Sequence, residues 1–309
     1  MYTTNFNINF IGKRKSALIF SALLILLTCT SLILRGGPNF GIDFTGGVSL
    51  TIPFDTDDIA EHRERVEERI ATMQFADYEL KTLSDADAAY LQIIVSQGEH
   101  DAAEVRESIL SELQDIYPNL LHNREISAEV VGPRVGRELT ANAFKAIAFS
   151  LLVIILYVAF RFKLAYGIGA IAALVHDIII TIGIFSIFNW EISLPVIAAI
   201  LTIVGYSLND TIVLFDRIRE NLNEHKDKSL SLSDTLNISV NQTLSRTVIT
   251  SITTLFVVTS IFVTFLPTEN VLKYFSAALL VGVIAGTYSS IFIATPVLIQ
   301  LNKKWPIDK

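Results

Sequence analysis

The chain has 309 residues, 51% of them hydrophobic, with a mean hydropathy of +0.49 and a formal charge of −7. That mean hydropathy is high for a water-soluble domain of average composition. The single cysteine, Cys29, excludes an intrachain disulfide and a thiolate metal site, and no glycine-rich loop ending in Lys-Ser/Thr is present to cradle ATP or GTP phosphates.

The first apolar stretch, Ser16–Leu34, follows Lys13, Arg14 and Lys15. It has the charge flank of a signal peptide. No A-x-A pattern closes it, however, and five more apolar stretches follow, so it reads as an uncleaved membrane span. Residues 1–35 thus form an N-terminal segment and span one, in which Cys29 is expected to pack. Next comes "RGGPNFGIDFTGG", with five glycines, a proline and Asp43. A plain linker would not need Phe40, Ile42 and Phe44 in alternation. Gly41, Asp43, Gly46 and Gly47 therefore mark a joint.

Residues 36–140 hold a domain of their own. "GGVSLTIPF" alternates as a strand should, and "DTDDIAEHRERVEERIATM" places Ile59, Val66 and Ile70 at helical spacing. "YELKTL" and "AAYLQIIVS" are two strands around "SDAD". "EHDAAEVRESILSELQDIY" is a second helix stopped by Pro118, and "REISAEVVG" is a last strand. The order β-α-β-β-α-β predicts a ferredoxin-like α+β unit. It carries no His/Cys cluster, nucleophile motif or phosphate loop, so it reads as a binding or lever domain with no metal and no cofactor. "VGPRVGREL" then supplies a second joint, Gly132, Pro133, Arg134 and Gly136, at the entrance to the remaining spans.

Five further stretches are long enough to cross a bilayer, which takes about 20 helical residues. They are Ala143–Phe160, Leu164–Phe188, Leu194–Phe215, Thr247–Leu266 and Tyr274–Ile299, within residues 141–300, and 301–309 form a tail. The short loops on one side of the membrane carry eleven Lys and Arg, and those on the other side carry none. The positive-inside rule therefore puts both termini in the cytoplasm and residues 36–140 outside. That segment holds 21 acidic and 8 basic residues, an acidity that gives no support to nucleic-acid binding.

Polar residues inside the spans mark candidate sites. Asp210 lies roughly 8 Å from the middle of span four, too deep for a short side chain to reach the interface. Arg246 opens span five from the same side, and the amphipathic run from Asp234 can extend that helix inward. Asp210 and Arg246 read equally as an ion pair that fixes helix packing or as a proton relay. Burial and a nearby guanidinium act in opposite senses on a carboxyl group, so relative movement of the two would switch its proton. Ser207, Asn209, Thr211, Thr250, Thr253 and Thr254 either line a hydrated path or hydrogen-bond between helices. His176 and Asp177, near the middle of span three, are weaker relay candidates; they point about 100° apart, so one is expected to face the bundle and the other a partner helix. Gly282 and Gly286 form a G-x-x-x-G that permits close helix contact.

"NFGIDFTGG", "VGPRVGREL", "ALVHDIIITIGIF", "GYSLNDTIVLFDRIREN" and "NQTLSRTVITSITTL", in this order, resemble the SecF family of bacterial protein-export membrane subunits, within the SecD/SecF and RND (resistance–nodulation–division) groups. The resemblance covers nearly the whole chain. It implies an α-helical polytopic protein of six transmembrane helices and half-RND architecture with a periplasmic ferredoxin-like domain. It further implies location in the bacterial inner membrane, a heterodimer with SecD, association with the SecYEG channel and contact with the translocating polypeptide and membrane lipid. The proton gradient, not ATP, would drive such a non-enzymatic subunit, with Asp210 and Arg246 as its relay. The rival readings are a half-size RND-type exporter of small molecules or lipids and a non-transporting assembly scaffold.

The charge bias makes a topology prediction. In a chain lacking Cys29, a cysteine at Ser84 should react with an impermeant maleimide added outside intact cells, and one at Ser229 should not. The opposite pattern would invert the orientation.

Overall fold

The computed structural model of the chain describes residues 7–54, 59–73, 75, 78–84, 89–96, 102–118, 126–224, 230–266 and 271–305. The "SDAD" turn beyond Ser84, the outer loop 267–270, and Lys226, Lys228 and Ser229 lie outside these residues. In chain order the elements are α1 (Arg14–Arg35), a short α2 (Ile42–Thr45), β1 (Gly47–Phe54), α3 (Ile59–Thr72), β2 (Tyr78–Ser84), β3 (Ala89–Ser96), α4 (Ala102–Ile116), β4 (Ser127–Val131), α5 (Pro133–Arg161), α6 (Leu164–Phe188), α7 (Leu194–Glu224), α8 (Leu232–Phe265) and α9 (Val271–Ser289). A π-helical segment, Ser290–Ala294, joins α9 to α10 (Thr295–Leu301).

The six expected spans are all present as helices long and apolar enough to cross a membrane. Several run beyond the expected limits. α7 has 31 residues and α8 has 34, or about 46 and 51 Å at 1.5 Å per residue, well beyond a hydrocarbon layer of about 30 Å. The excess is the polar C-terminal end of α7 and the polar N-terminal part of α8, paired to each other: Asn221 Nδ2 donates to Ser239 Oγ and Gln242 Oε1 at 2.8 Å each. Ser231 caps α8 by accepting from the Asp234 amide. α5 begins at Pro133, so the expected boundary at 140/141 falls inside a continuous helix, with Gly132 as N-cap and proline in the first turn, where its missing N–H costs nothing.

The sheet domain has the strand order β2-β3-β1-β4, with every pair antiparallel. This order is compatible with the ferredoxin-like unit. Leu50 and Ile52 of β1, Leu91 and Ile93 of β3, Val66 and Ile70 of α3, and Ile109 of α4 form its dry core. Cutting Leu50 back to alanine there would cost about 2–5 kcal/mol.

The bundle is held by a different force, because lipid removes the hydrophobic drive between helices and leaves close packing and hydrogen bonds. α9 is the central helix. A Cβ at Gly282 would run into Ile203 of α7, and one at Gly286 would lie 2.9 Å from the Ser207 Cβ. The G-x-x-x-G is thus the seam between α9 and α7. On the other side Gly183 of α6 admits Thr28 of α1, and Ser31 and Ser186 share a 2.8 Å hydrogen bond. Cys29 does not pack as expected. It lies on the exposed side of α1, one position past the Thr28 face that meets α6. The N-terminal residues are strapped to α8: Asn237 Oδ1 accepts from the Phe10 and Ile11 amides, and Asn241 Oδ1 accepts from the Ile8 amide.

Gly286→Val should force α9 off α7 and destabilise the bundle by about 1–3 kcal/mol. Gly205→Ala meets open space and should leave stability unchanged. Unfolding of the purified variants in mixed micelles checks both; equal stability of all three proteins would refute the seam.

Candidate functional site

α6, α7 and α9 meet along a polar seam. Asp177 is 1% exposed, and its Oδ2 accepts from Ser207 Oγ of α7 at 2.6 Å and from Ser289 Oγ of α9 at 2.8 Å. One carboxylate thus ties three helices, and Ser289 is the last residue of α9 before the π segment. His176, buried like Asp177, has Nδ1 3.0 Å from Asp177 Oδ1, and its ring stacks on Tyr288 of α9 with centroids 5.8 Å apart. Tyr288 in turn donates to the Ala17 carbonyl at 2.7 Å and contacts Ser21 Oγ at 3.0 Å. His176 Nε2 has no hydrogen-bond partner among the described residues.

Asp210 is 4% exposed, and its Oδ2 also lacks a partner among the described residues. No direct ion pair joins it to Arg246, which is exposed on α8 and bears on Asp210 only at longer range. An unpartnered carboxylate oxygen at this depth is costly, and water or a proton is the chemistry that would satisfy it. The surrounding hydroxyls are mostly turned into their own helices. Thr211 donates to the Ser207 carbonyl, and Thr250, Thr253 and Thr254 donate to carbonyls three or four residues back. Of this group, Ser207 alone makes the interhelical bond described above. Asn209 is exposed, on a face it shares with Ala198, Thr202 and Gly205.

The two glycine joints meet. Gly46 has φ 72° and Gly47 φ 145°, backbone conformations that side chains resist, and they turn α2 directly into β1. A Cβ at Gly136 would lie 3.0 Å from the Gly46 nitrogen and 3.1 Å from the Phe44 carbonyl oxygen, so the first turn of α5 rests on the backbone of the first joint. Arg134 is exposed beside it. The joint also docks on the loop between α6 and α7. The Gly41 amide donates to the Ile192 carbonyl at 3.0 Å, and the Ile192 amide donates to the Asn39 carbonyl at 2.7 Å. Asp43 Oδ2 accepts from the Leu194 amide at 2.8 Å, which places a carboxylate on the positive end of α7. Such an interaction contributes about 0.3–1 kcal/mol, and up to about 2 when partly buried.

Lys81 of β2 adds a tie from the sheet domain, with Nζ 3.1 Å from Glu191 Oε2 and 3.3 Å from Glu79 Oε2. Burial alone would pull its ammonium down, but Glu191 and Glu79 outweigh that and leave it above the ordinary lysine value. Because its folded pKa is raised, this contribution is complete below the ordinary value, near 10.4, and is lost only as pH rises through the higher one. The Lys81 ammonium therefore stays charged through the physiological range.

Sequence reasoning gave no warning of Ser289, Tyr288 or the Lys81–Glu191 pair. The adjacent Ser289 and Ser290 in an apolar span were a signal for the first of these. No local pattern signals the last.

Comparison with known proteins accounts for this arrangement. Residues 112–304 match the family described as protein export membrane protein SecD/SecF, C-terminal, and residues 32–58 match the SecD/SecF GG motif. The chain is 41% identical to the protein translocase subunit SecF of Rhodothermus marinus over 97% of this chain and 95% of that one. It is 38% identical to that of Calditerrivibrio nitroreducens over 94% and 92%. Among solved structures it is similar to SecDF, a translocon-associated membrane protein, from Thermus thermophilus, with a TM-score of 0.80 and 33% identity. A second SecDF structure, in a super-membrane-facing form, gives 0.66 and 32%. The chain is covered over 98% and 99% but spans 40% of the length of each of those structures. On these matches, and with six membrane-crossing helices around a polar seam, the chain belongs to the SecD/SecF family of protein export membrane proteins.

Proposed function

We propose that this chain is a SecF-like subunit of the bacterial protein translocase accessory complex. It works with SecD and the SecYEG channel and uses the proton gradient to assist export of polypeptides across the plasma membrane. In this reading both termini are cytoplasmic, and residues 36–140 are periplasmic and free to move relative to the core about the paired glycine joints. The two solved SecDF structures match this chain over 98% and 99% of its length with TM-scores of 0.80 and 0.66, so relatives of this chain are known in more than one shape.

The observation that carries the reading is Asp210. It is buried in a membrane-crossing helix, one oxygen has no partner, and the nearest guanidinium is not paired with it. A static structural pair would have closed that contact, whereas a proton-carrying carboxyl needs a state in which it is open. In the cycle, Arg246 approaches or withdraws as α8 moves against α7, and the protonation of Asp210 biases which arrangement is stable. Asp177, already satisfied by three side chains, acts as the fixed end of the seam, and His176 beside it is the weaker relay candidate.

The SecD partner fits the membrane face of α7. Ala198, Thr202, Gly205 and Asn209 recur at helical spacing, are exposed, and make a stripe small enough for another helix to approach closely, with the amide and hydroxyl as hydrogen-bonding groups. Gly205 has nothing within 4 Å of where a Cβ would stand.

Asp210→Asn should reduce export to its gradient-independent background while insertion and SecD binding stay normal, because the shape is kept and the titration removed. Asp210→Glu should retain part of the function. Export rate against imposed proton gradient decides, with the double neutral variant Asp210→Asn/Arg246→Gln beside it. If the double variant regains gradient-dependent export, Asp210 serves packing and not protons.

Gly205→Phe should leave the isolated chain folded, since it points into open space, and should lower copurification with the larger subunit at least tenfold. Undiminished copurification would place the partner elsewhere.

A further inference from the structure

The five residues of the α6–α7 loop and the first residue of α7 receive five separate ties from the other side of the joint. Asn39 Nδ2 donates to the Asn189 carbonyl at 3.2 Å, and the Asn39 and Gly41 backbones bond to both sides of Ile192. Lys81 holds Glu191, and Asp43 holds the Leu194 amide. Leu194 opens α7, and its N–H is one of the four that an α-helix cannot satisfy internally. The acceptor comes from a residue 151 positions away. Ser193, the preceding residue, has its own hydroxyl buried and without a partner among the described residues, so it does not serve as the cap.

Asp43 belongs to α2, and α2 passes through Gly46 directly into β1, the strand between β3 and β4 in the sheet. The path from the sheet to α7 therefore crosses one turn of helix and one side chain. Between the sheet and the core lies a cavity of about 70 Å³ lined by polar and apolar groups alike, among them Ser49, Gln92, Glu129 and Ser193, with Ile42, Ile94 and Val271. That is room for a few waters at about 10–15 Å³ each. The sheet domain thus sits on a contact of mixed polarity with space left in it, of the kind that permits relative domain motion, and Lys81 and Glu191, with side chains only 15% and 20% exposed, are its charged clasp.

We infer that Asp43 and the Lys81–Glu191 pair are positioning residues that couple the sheet domain to the N-terminus of α7, so that the attitude of the domain sets the placement of the helix carrying Asp210. Asp210 lies 16 residues beyond Leu194, about 24 Å along a continuous helix that has no proline beyond its first turn to kink it. The clasp closed holds the domain against the core. With the clasp open, Asp43 is still the side-chain tie from the joint to α7 itself, and Asn39 still holds the loop before it. This inference rests on the export reading, since it gives the domain a mechanical output at the relay.

The roles differ in what they demand of each side chain, and the test uses that difference. A helix cap needs a hydrogen-bond acceptor, and asparagine supplies one as well as aspartate does, whereas alanine does not. The clasp needs opposite charges at positions 81 and 191, and because Glu79 also lies on Lys81, Glu79→Gln is carried in the parent and in every clasp variant so that it does not repel a carboxylate at position 81. In membranes carrying the assembled export complex, with Cys29→Ser, spin labels at Glu107 on α4 and Leu34 on α1 report the distance between domain and core. Asp43→Asn should keep gradient-dependent export within about twofold of the parent. Asp43→Ala should lower it roughly five- to tenfold, the scale of losing a cap. Lys81→Glu should broaden the distance distribution and lower export, and Lys81→Glu with Glu191→Lys should restore both. The inference is overturned if Asp43→Asn fails as badly as Asp43→Ala, which would make Asp43 a titrating group. It is equally overturned if the reversed pair does not rescue, or if the distance distribution ignores the clasp. Asp210→Asn in the same membranes separates the two readings. Retained gradient dependence there would sink the relay, while the distance distributions would still report on cap and clasp.

Discussion

The contact between α9 and α7 is the one on which the rest of the bundle depends. Inside a bilayer no hydrophobic effect presses helices together, so two backbones must come close enough for dispersion and hydrogen bonds to suffice. Gly282 and Gly286 remove the side chains that would hold α9 away, and Ile203 and Ser207 fill the space. Only at that separation can Ser207 and Ser289 both reach the carboxylate of Asp177. Steric permission from two glycines and a hydrogen-bonded carboxylate from a third helix are thus a single device. The peripheral helices α5 and α8 keep broad apolar faces outward, as lipid or a neighbouring chain requires.

The two ends of the molecule follow different rules. The sheet domain excludes water from a core of Leu, Ile and Val, and its stability is that of a small soluble domain. The seam in the membrane is polar and satisfied at Asp177 but open at Asp210 and His176. Buried polar groups left open are expensive, and proteins keep them where they are used. Two aspartates on adjacent helices thus differ in kind: the Asp177 carboxylate is saturated by hydrogen bonds, and Asp210 Oδ2 has no partner among the described residues.

Local pattern made much of this legible. Alternation marked β1 and β3, spacing marked Val66 and Ile70, and hydropathy marked the spans. The glycines of both joints were visible as punctuation, although not that Gly136 lies on Gly46. What the sequence concealed is long-range. Asp43 meets Leu194 across 151 residues, Lys81 meets Glu191 across 110, and Ser289 meets Asp177 across 112. No period connects such residues; they are brought together by the folding of the whole chain. Asp210 and Arg246 show an intermediate case. Each was conspicuous by its charge in an apolar setting, but the gap between them depends on how α8 lies against α7, which no residue spacing encodes.

The π segment Ser290–Ala294 carries one more consequence. An added residue in a turn advances everything after it by about 100° around the axis. Thr295 Oγ1 donates to the Ser290 carbonyl five residues back, as the wider turn allows. Without that offset, the inward faces of α9 and α10 would fall out of phase. With it, Ser289 points at Asp177 while Ala294 and Leu298 are still buried in the core shared with α6. The segment works as a vernier: it lets one continuous rod present two differently aimed faces, so that the polar seam and the apolar packing below it need not share a single helical phase.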